Sequence, residues 1–244
     1  MMHLHLLTLH RLIKELKVEV IYEDNHIIVV SKTCREIVQG DKTGDEPLSE
    51  TLKRWIKEKY NKPGNVFVGV THRLDRPTSG IVLFAKTGKA LSRLNEMFRN
   101  NEIKKTYWAI VENNERIKGE EELVDFLYRV EKQNKSYAYK TERPNTKKAI
   151  LSYKHISKGD RYSLLEIDLK TGRHHQIRCQ LSNIGMPIKG DLKYGFKRSN
   201  PDGGISLHAR RISFIHPVSK EKISIEAPVP NDRLWKELES LVKY

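Results

Sequence analysis

The chain has 244 residues, enough for one large domain or two small ones, and at 38% hydrophobic it can bury a core, which excludes a disordered chain. Lysine and arginine outnumber aspartate and glutamate by 45 to 31, a net charge of +14 at pH 7; that much self-repulsion in a compact fold points to a polyanionic partner, with RNA or DNA fitting best. No run approaches the ~20 apolar residues of a membrane span, and Cys34 and Cys179 lie far apart outside any Cys-x-x-Cys pair, which argues against a disulfide framework or structural zinc and for a reducing cytoplasm.

The first stretch, MMHLHLLTLHRLIKEL, is short, apolar and basic and lacks a small-residue cleavage site. It reads as a peripheral extension or short helix over residues 1–17 rather than a signal peptide. His3, His5 and His10 have no acidic or thiol partner beside them, so no metal is expected there. Residues 18–22 and 27–30 read as strands around the turn Glu23-Asp24-Asn25. Residues 47–60 read as a helix, with Leu48, Leu52 and Trp55 at helical spacing. The continuous apolar run 81–85 predicts a buried strand, and 89–100 a helix with Leu91, Leu94 and Phe98 on one face and Thr87 near its N-cap.

From there the pattern is mostly strands: 106–111, 123–129, 136–139, 149–155 and 163–169, the last alternating at Leu165, Ile167 and Leu169. Residues 133–148 are polar and basic, with Lys135, Lys140, Arg143, Lys147 and Lys148; a mobile loop touching RNA and a solvated hairpin are equally good readings. Residues 173–184 read as a helix, with Ile177, Leu181 and Ile184 in register and Gly185 at its end. Strands at 207–215 and 222–226 and a helix over 232–242 complete the chain. Many strands, few helices and no strict βαβ alternation predict an α+β fold: one domain over residues 18–244, with a largely antiparallel or mixed central sheet flanked by helices and loops.

Three segments can carry chemistry. In Thr71-His72-Arg73-Leu74-Asp75-Arg76-Pro77-Thr78-Ser79-Gly80 one carboxylate lies between two arginines, which bias it toward the ionised form. An ionised carboxylate beside a sugar can act as a nucleophile or stabilise an oxocarbenium ion. On its neighbours alone, a surface salt bridge is the stronger reading of Asp75. In Thr171-Gly172-Arg173-His174-His175-Gln176-Ile177-Arg178 the Thr-Gly turn is expected to open a helix whose free N–H groups can receive a phosphate. His175 and Arg178 share a face at i, i+3, and Arg178, at the edge of the buried side, needs a carboxylate from elsewhere in the chain. Zinc spacing is missing, since adjacent histidines do not share a helix face. In Lys104-Lys105-Thr106-Tyr107-Trp108 the two aromatics fall on opposite faces of a strand, one free to stack on a base while the other packs. Lys86-Thr87-Gly88-Lys89 fails as a nucleoside triphosphate loop, because Ala90 replaces the required Ser or Thr and the upstream Gly spacing is wrong.

Taken in chain order, the three segments resemble one family, the pseudouridine synthases of the RluA type. His-Arg-Leu-Asp-x-x-Thr-Ser-Gly stands intact at residues 72–80, Lys-x-Tyr-x-Ala at 105–109 and Thr-Gly-Arg-x-His-Gln-Ile-Arg at 171–178. Residues 187–191, Leu207-His208-Ala209 and His216-Pro217 fit as well, so the resemblance runs from about residue 18 to 228. It departs at Ser31-Lys32-Thr33-Cys34-Arg35, where the family has Asn-Lys-Pro-x-Gly. Too few residues precede the first strand for the S4 RNA-binding domain of many relatives, so RNA affinity is expected from the catalytic domain itself.

The resemblance implies that uridine in RNA becomes pseudouridine, in a cleft on the sheet, without metal, nucleotide or other cofactor. The N-glycosidic bond breaks, the uracil rotates, and C5 joins C1′. Asp75 then matches the catalytic aspartate, adding to C1′ or removing the 2′ proton. Arg178 matches the arginine that pairs with it. Tyr107 matches the tyrosine that stacks on the base and assists proton removal from C5. Leu207 is an apolar wall for the uracil, and Arg73, Arg173, His175 and Gln176 orient the RNA or the loops around it. The target uridine must be flipped out, which favours loop uridines of ribosomal or transfer RNA. The expected partner is RNA alone, with no protein partner and no membrane, and the chain a cytoplasmic monomer. The alternative is a non-catalytic RNA-binding or chaperone protein of the same fold. A hydrolase pairing Asp75 with His72 or His175 ranks last, because a glycosidase needs a second facing carboxylate.

Overall fold

The computed structural model describes residues 18–41 and 43–243; the extension expected over residues 1–17 lies outside them. In chain order the elements are β1 (Glu19–Glu23), β2 (Ile27–Lys32), α1 (Leu48–Lys59), β3 (Gly69–Val70), β4 (Ser79–Ala85), α2 (Gly88–Arg99), β5 (Lys104–Glu112), β6 (Glu120–Val130), β7 (Lys135–Tyr139), β8 (Lys147–Lys158), β9 (Tyr162–Leu169), α3 (Gln176–Asn183), β10 (Leu207–Ile215), β11 (Lys222–Glu226) and α4 (Arg233–Ser240). Single 3-10 turns stand at Glu131–Gln133 and Leu192–Tyr194.

The strands form one sheet in the order β1-β2-β4-β10-β5-β9-β8-β6-β7, with β3 added on β4 and β11 on β10. Every pairing is antiparallel except that of β4 with β10, which run parallel where Ser79 meets His208 and Gly80 meets Ala209. The expected α+β architecture with a mixed, mostly antiparallel sheet is what the chain adopts. β4 is buried at all seven positions, because it lies inside the sheet with side chains packed on both faces.

Alternation along β5 sorts its side chains as expected. Tyr107 and Ala109 join the main core with Leu165 and Ile167 of β9. Trp108 and Ile110 point the other way and pack with Leu164 under Trp235 and Leu238 of α4. Tyr107 is thereby aimed at the opposite face of the sheet from α4. The N-cap of α2 is Thr87, whose hydroxyl accepts the Ala90 N–H, and that of α4 is Asp232. Within residues 133–148, β7 pairs back on β6 as a hairpin and residues 140–146 form a loop leading into β8.

One helix differs from its sequence pattern. The expected helix over 173–184 begins only at Gln176. His175 takes a left-handed backbone, φ 52°, which ends any helical path through residues 171–175. The Gln176 side-chain carbonyl accepts from Thr171 Oγ1 at 2.8 Å and from the Arg173 N–H at 2.9 Å, locking the segment as a loop. The Thr-Gly turn therefore opens no helix, and the phosphate-receiving N-terminus expected there does not form.

Gly80 shows why the first motif ends in glycine. Its φ is +111°, and a Cβ at that position would overlap the backbone of Ala209 on β10. The close approach of β4 to β10 fixes where the loop before Ser79 enters the sheet.

Candidate active site

The loop of residues 71–78 and the loop of residues 171–175 meet over Tyr107 and Leu207. They enclose a cavity of about 640 Å³ lined by Arg73, Asp75, Tyr107, Arg173, His175, Gln176, Arg178 and Leu207 among others. All eight residues singled out in the sequence are in that lining, drawn from four separate segments. Arg76 and Arg129 add to its positive charge, and Asp41 is a second carboxylate at its margin.

Several contacts hold the Asp75 loop. The Thr78 N–H closes a turn onto the Asp75 carbonyl at 3.0 Å. The fully buried Lys32 sends its ammonium to the carbonyls of Thr33, Arg76 and Thr78 at 2.7, 3.0 and 2.7 Å. Burial pulls the Lys32 pKa down to about 8. Lys32 is the residue of Ser31–Arg35 that keeps the Lys of the family pattern, so the loop is pinned although Thr33 and Arg35 stand in place of its Pro and Gly. His72 accepts the Leu83 N–H on Nε2 at 3.0 Å and lies against Phe98. Burial, then the charge of Lys105, lowers its pKa to about 3, so it serves as a neutral acceptor that ties the loop to β4.

Asp75 Oδ2 is 3.2 Å from Arg178 Nη1 and 3.2 Å from His175 Nε2, with the Asp75 side chain 35% exposed toward the cavity. The sequence neighbours do not supply this charge partner. Arg76 turns away to Asp45 at 2.6 Å and Thr43 at 2.7 Å. Arg178 is the buried cation expected to need a carboxylate, and it has two. It grips Asp191 through Nε at 2.6 Å and Nη2 at 2.8 Å while Nη1 reaches Asp75. Burial works against its charge, but Asp191 and Asp75 outweigh that effect and raise its pKa.

Asp191 was not singled out in the sequence as Arg178's partner. Its signal was that residues 187–191 fit the family pattern; the structure shows it as a buried acid after Gly190, whose φ is 89°. Tyr194, whose hydroxyl is 3.0 Å from His175 Nδ1, had no signal beyond its proximity to Asp191.

Tyr107 is buried, and burial together with the Asp75 charge pushes its phenol pKa up. It keeps its proton at neutral pH in the free protein. Leu207 is 4% exposed at the start of β10, an apolar wall opposite the polar rim. Arg73 and Arg173 are exposed at the mouth, Arg173 held by Nε on the Lys148 carbonyl at 3.0 Å. Of the two roles expected for Gln176, orienting the RNA or the loops, its contacts are those of the second. Its amide N–H groups go to the Ile150 carbonyl and Gln180, and its oxygen to Thr171 and Arg173, so it braces the loop and has no group left for a ligand. Cys179 packs under β7 and donates to the Ser136 carbonyl, with burial raising its pKa to about 12.

Comparison with known proteins identifies the family. The family model described as RNA pseudouridylate synthase matches residues 26–183. The tRNA pseudouridine synthase C of Vibrio vulnificus (strain CMCP6) is 30% identical over 241 residues, covering 90% of this chain and 93% of that protein. The ribosomal large subunit pseudouridine synthase D of Zymomonas mobilis is 30% identical, covering 90% of this chain and 71% of that protein. The solved structure of human RNA Pseudouridylate Synthase Domain Containing 4 superposes with a TM-score of 0.76 at 21% identity, over 96% of both chains, and shares the fold. With its three motifs gathered into one cavity, this chain belongs to the RNA pseudouridylate synthase family and is an RNA pseudouridine synthase of the RluA type.

Proposed function

We propose that Asp75 is the catalytic carboxylate in the isomerisation of uridine to pseudouridine, acting on a uridine flipped out of structured RNA. The observation that carries this reading is the Asp75 carboxylate itself. It is held on one oxygen by Arg178, with His175 beside it, and open to a cavity walled by Tyr107 and Leu207. A charged carboxylate facing a ribose can add to C1′ or take the 2′ proton, and either route frees the uracil to turn within the cavity. Uridine and pseudouridine are isomers, so the reaction balances without a co-reactant.

Tyr107 packs on the base and keeps its proton at the start. Asp75's charge is one of the two causes that raise its pKa. When Asp75 becomes a neutral ester on the adding route, that cause disappears while burial, the larger one, remains, so Tyr107 takes the C5 proton only as its own phenol proton passes to water in the open cavity. Arg73 and Arg173 at the mouth take phosphates of the flanking RNA. The substrate class is transfer or ribosomal RNA. Transfer RNA is the first to test, because the match to tRNA pseudouridine synthases of similar length runs nearly end to end. An RNA substrate and two free thiols fit the cytoplasm.

The test is tritium release from RNA carrying C5-labelled uridine. The wild type should release label and leave pseudouridine, and Asp75→Asn and Asp75→Ala should release none above background. Release that survives both substitutions would sink the assignment. RNA binding with no release by the wild type would favour the non-catalytic alternative.

A further inference from the structure

At the β7 end of the sheet, strand alternation sorts the side chains of β6 and β7 onto two faces. Leu123, Asp125 and Leu127 are buried, and Leu127 packs with Ala138, Cys179 and Tyr194 on the face that α3 covers. Val124, Phe126 and Tyr128 point the other way. Tyr128 stands opposite Tyr137 and Phe126 opposite Tyr139, while on β8 Ile150 stands opposite Val124 and Lys148 opposite Phe126. Val124, Tyr128 and Tyr137 are 37, 38 and 38% exposed. None of the apolar side chains in this row joins a core cluster among the described residues. The helix on this face, α4, packs over Trp108, Ile110 and Leu164, nearer the middle of the sheet.

The same hairpin concentrates positive charge. Residues 126–148 hold seven lysines and arginines against two glutamates. Three of the cations accompany the aromatic row. Lys135 Nζ lies 5.3 Å from the centre of the Tyr137 ring, the Arg143 guanidinium stacks on Tyr139 at 3.9 Å, and Lys148 stands across from Phe126. The turn that carries Arg143 is closed by Thr146, whose hydroxyl donates to the Arg143 carbonyl at 2.6 Å. The acids nearest the row on this face, Glu120 and Glu122, lie beyond Val124, and Lys170 neutralises Glu122. Exposed rings flanked by cations stack unpaired bases and hold the phosphates between them. A duplex offers its base faces to no ring, and a second copy of this chain would set cation against cation.

The hairpin also borders the catalytic cavity. Arg129, next to Tyr128 but on the opposite face, and Asn134 in the turn both line it. We propose that the reverse face of the β6–β7 hairpin is a second RNA site: Tyr128 and Tyr137 stack unpaired nucleotides that flank the target uridine, and Lys135, Arg143 and Lys148 hold their phosphates. RNA leaving the cavity past Arg129 rounds the turn at residues 131–134 to reach the tyrosines. The site rests on the reading of the Asp75 cavity as the place of the uridine. It supplies affinity and a preference for unpaired RNA rather than chemistry, since no side chain of the row lines the cavity.

Tyr128→Thr combined with Tyr137→Thr keeps strand-forming side chains and removes both rings. The probes are a short fluorescein-labelled oligouridylate and a short RNA duplex, with fluorescence anisotropy giving each Kd. Oligouridylate affinity should fall about 10- to 100-fold in the double variant. Duplex affinity should move less than about threefold, and the slope of log Kobs against log salt should stay as in the wild type, because no charge is removed. The same loss is expected in an Asp75→Asn background. An active Asp75→Asn sinks the catalytic assignment, and the binding loss then still decides this face. Unchanged oligouridylate affinity overturns the proposal, and so does an equal loss on the duplex. A wild type that dimerises where the double variant does not, with RNA affinity unchanged, gives the face to a second copy and overturns it too. Should the double variant fail to fold, photocrosslinking of the wild type to oligouridylate carrying 4-thiouridine decides. Adducts on Tyr128 or Tyr137 support the site, and adducts absent from the hairpin reject it.

Discussion

Asp75 and Arg178 are 103 positions apart in the chain and 3.2 Å apart in the fold. The guanidinium that reaches Asp75 is the one that grips Asp191 through two bonds of 2.6 and 2.8 Å. The two carboxylates differ in exposure, Asp191 at 1% and Asp75 at 35% of the side chain. The buried acid therefore sets where the guanidinium lies, and the direction left over at Nη1 sets Asp75. A cation held on three sides does not follow the substrate, so the carboxylate is presented in one orientation before RNA arrives.

Removing the buried end of this bridge should damage both stability and rate. Asp191→Asn leaves Arg178 buried with half of its compensation, and breaking a buried pair typically costs about 3 to 5 kcal/mol. Urea unfolding should register a loss of that order. Single-turnover pseudouridine formation should fall about 100-fold, because Asp75 loses a fixed partner. A variant with full stability and full rate would show that Arg178 is held by Asp75 alone.

Acid should unfold the protein earlier than its carboxylates require. Burial, the first cause in each case, lowers the pKa of His72 to about 3, His175 to about 2 and His208 to about 4. Each folded value lies below the unfolded value near 6.5, so the unfolded chain binds protons that the fold refuses. Stability is then fully present above about pH 6.5 and is lost as the pH falls through that value toward the folded pKa values. The loss should be about 1 kcal/mol per histidine between about pH 6.5 and 5.5. Urea midpoints across that window measure it, and His208→Gln should flatten the slope by roughly a third. A midpoint that stays constant from neutral pH to about 5.5 contradicts the neutral assignments.

At the mouth of the cavity the effect should be electrostatic. Replacing Arg73 or Arg173 with Gln removes one exposed cation from the lining. RNA affinity should weaken, and the slope of log Kobs against log salt should become shallower by roughly 0.7 to 0.9 for each arginine. Binding isotherms at several salt concentrations read this directly. An unchanged slope would remove that arginine from the phosphate contacts.

Gly80→Ala should be among the most damaging single-methyl changes in the chain. The new Cβ meets the Ala209 backbone and forces a left-handed φ on alanine, with no flexible side chain to give way. A loss of about 3 kcal/mol or more is expected, visible as a lowered Tm or insoluble expression. Wild-type stability would mean that β4 and β10 are further apart than their parallel register implies.

Much of the fold was legible in the chain because local pattern and final environment agree. The apolar run 81–85 is a buried strand wherever it is placed, and Thr87 caps a helix through contacts within one turn. The start of α3 was not legible, although Ile177 and Leu181 were in register. Only the closed loop shows Gln176 accepting from Thr171 and Arg173 and His175 turned left-handed. A side chain that substitutes for a helical hydrogen bond leaves no trace in periodicity.

The sequence by itself determined which residues meet in the cavity, since three ordered motifs identify a chemistry even when no single motif does. It also determined the charge that draws in a polyanion. The tertiary structure decided who holds whom. Arg76, adjacent to Asp75, faces Asp45, while Arg178 from the far end of the domain supplies the pair. The reason is physical: chain neighbours on a tight turn splay their side chains apart. Converging ones come from segments that packing brings together, and packing is settled by burial across the whole sheet.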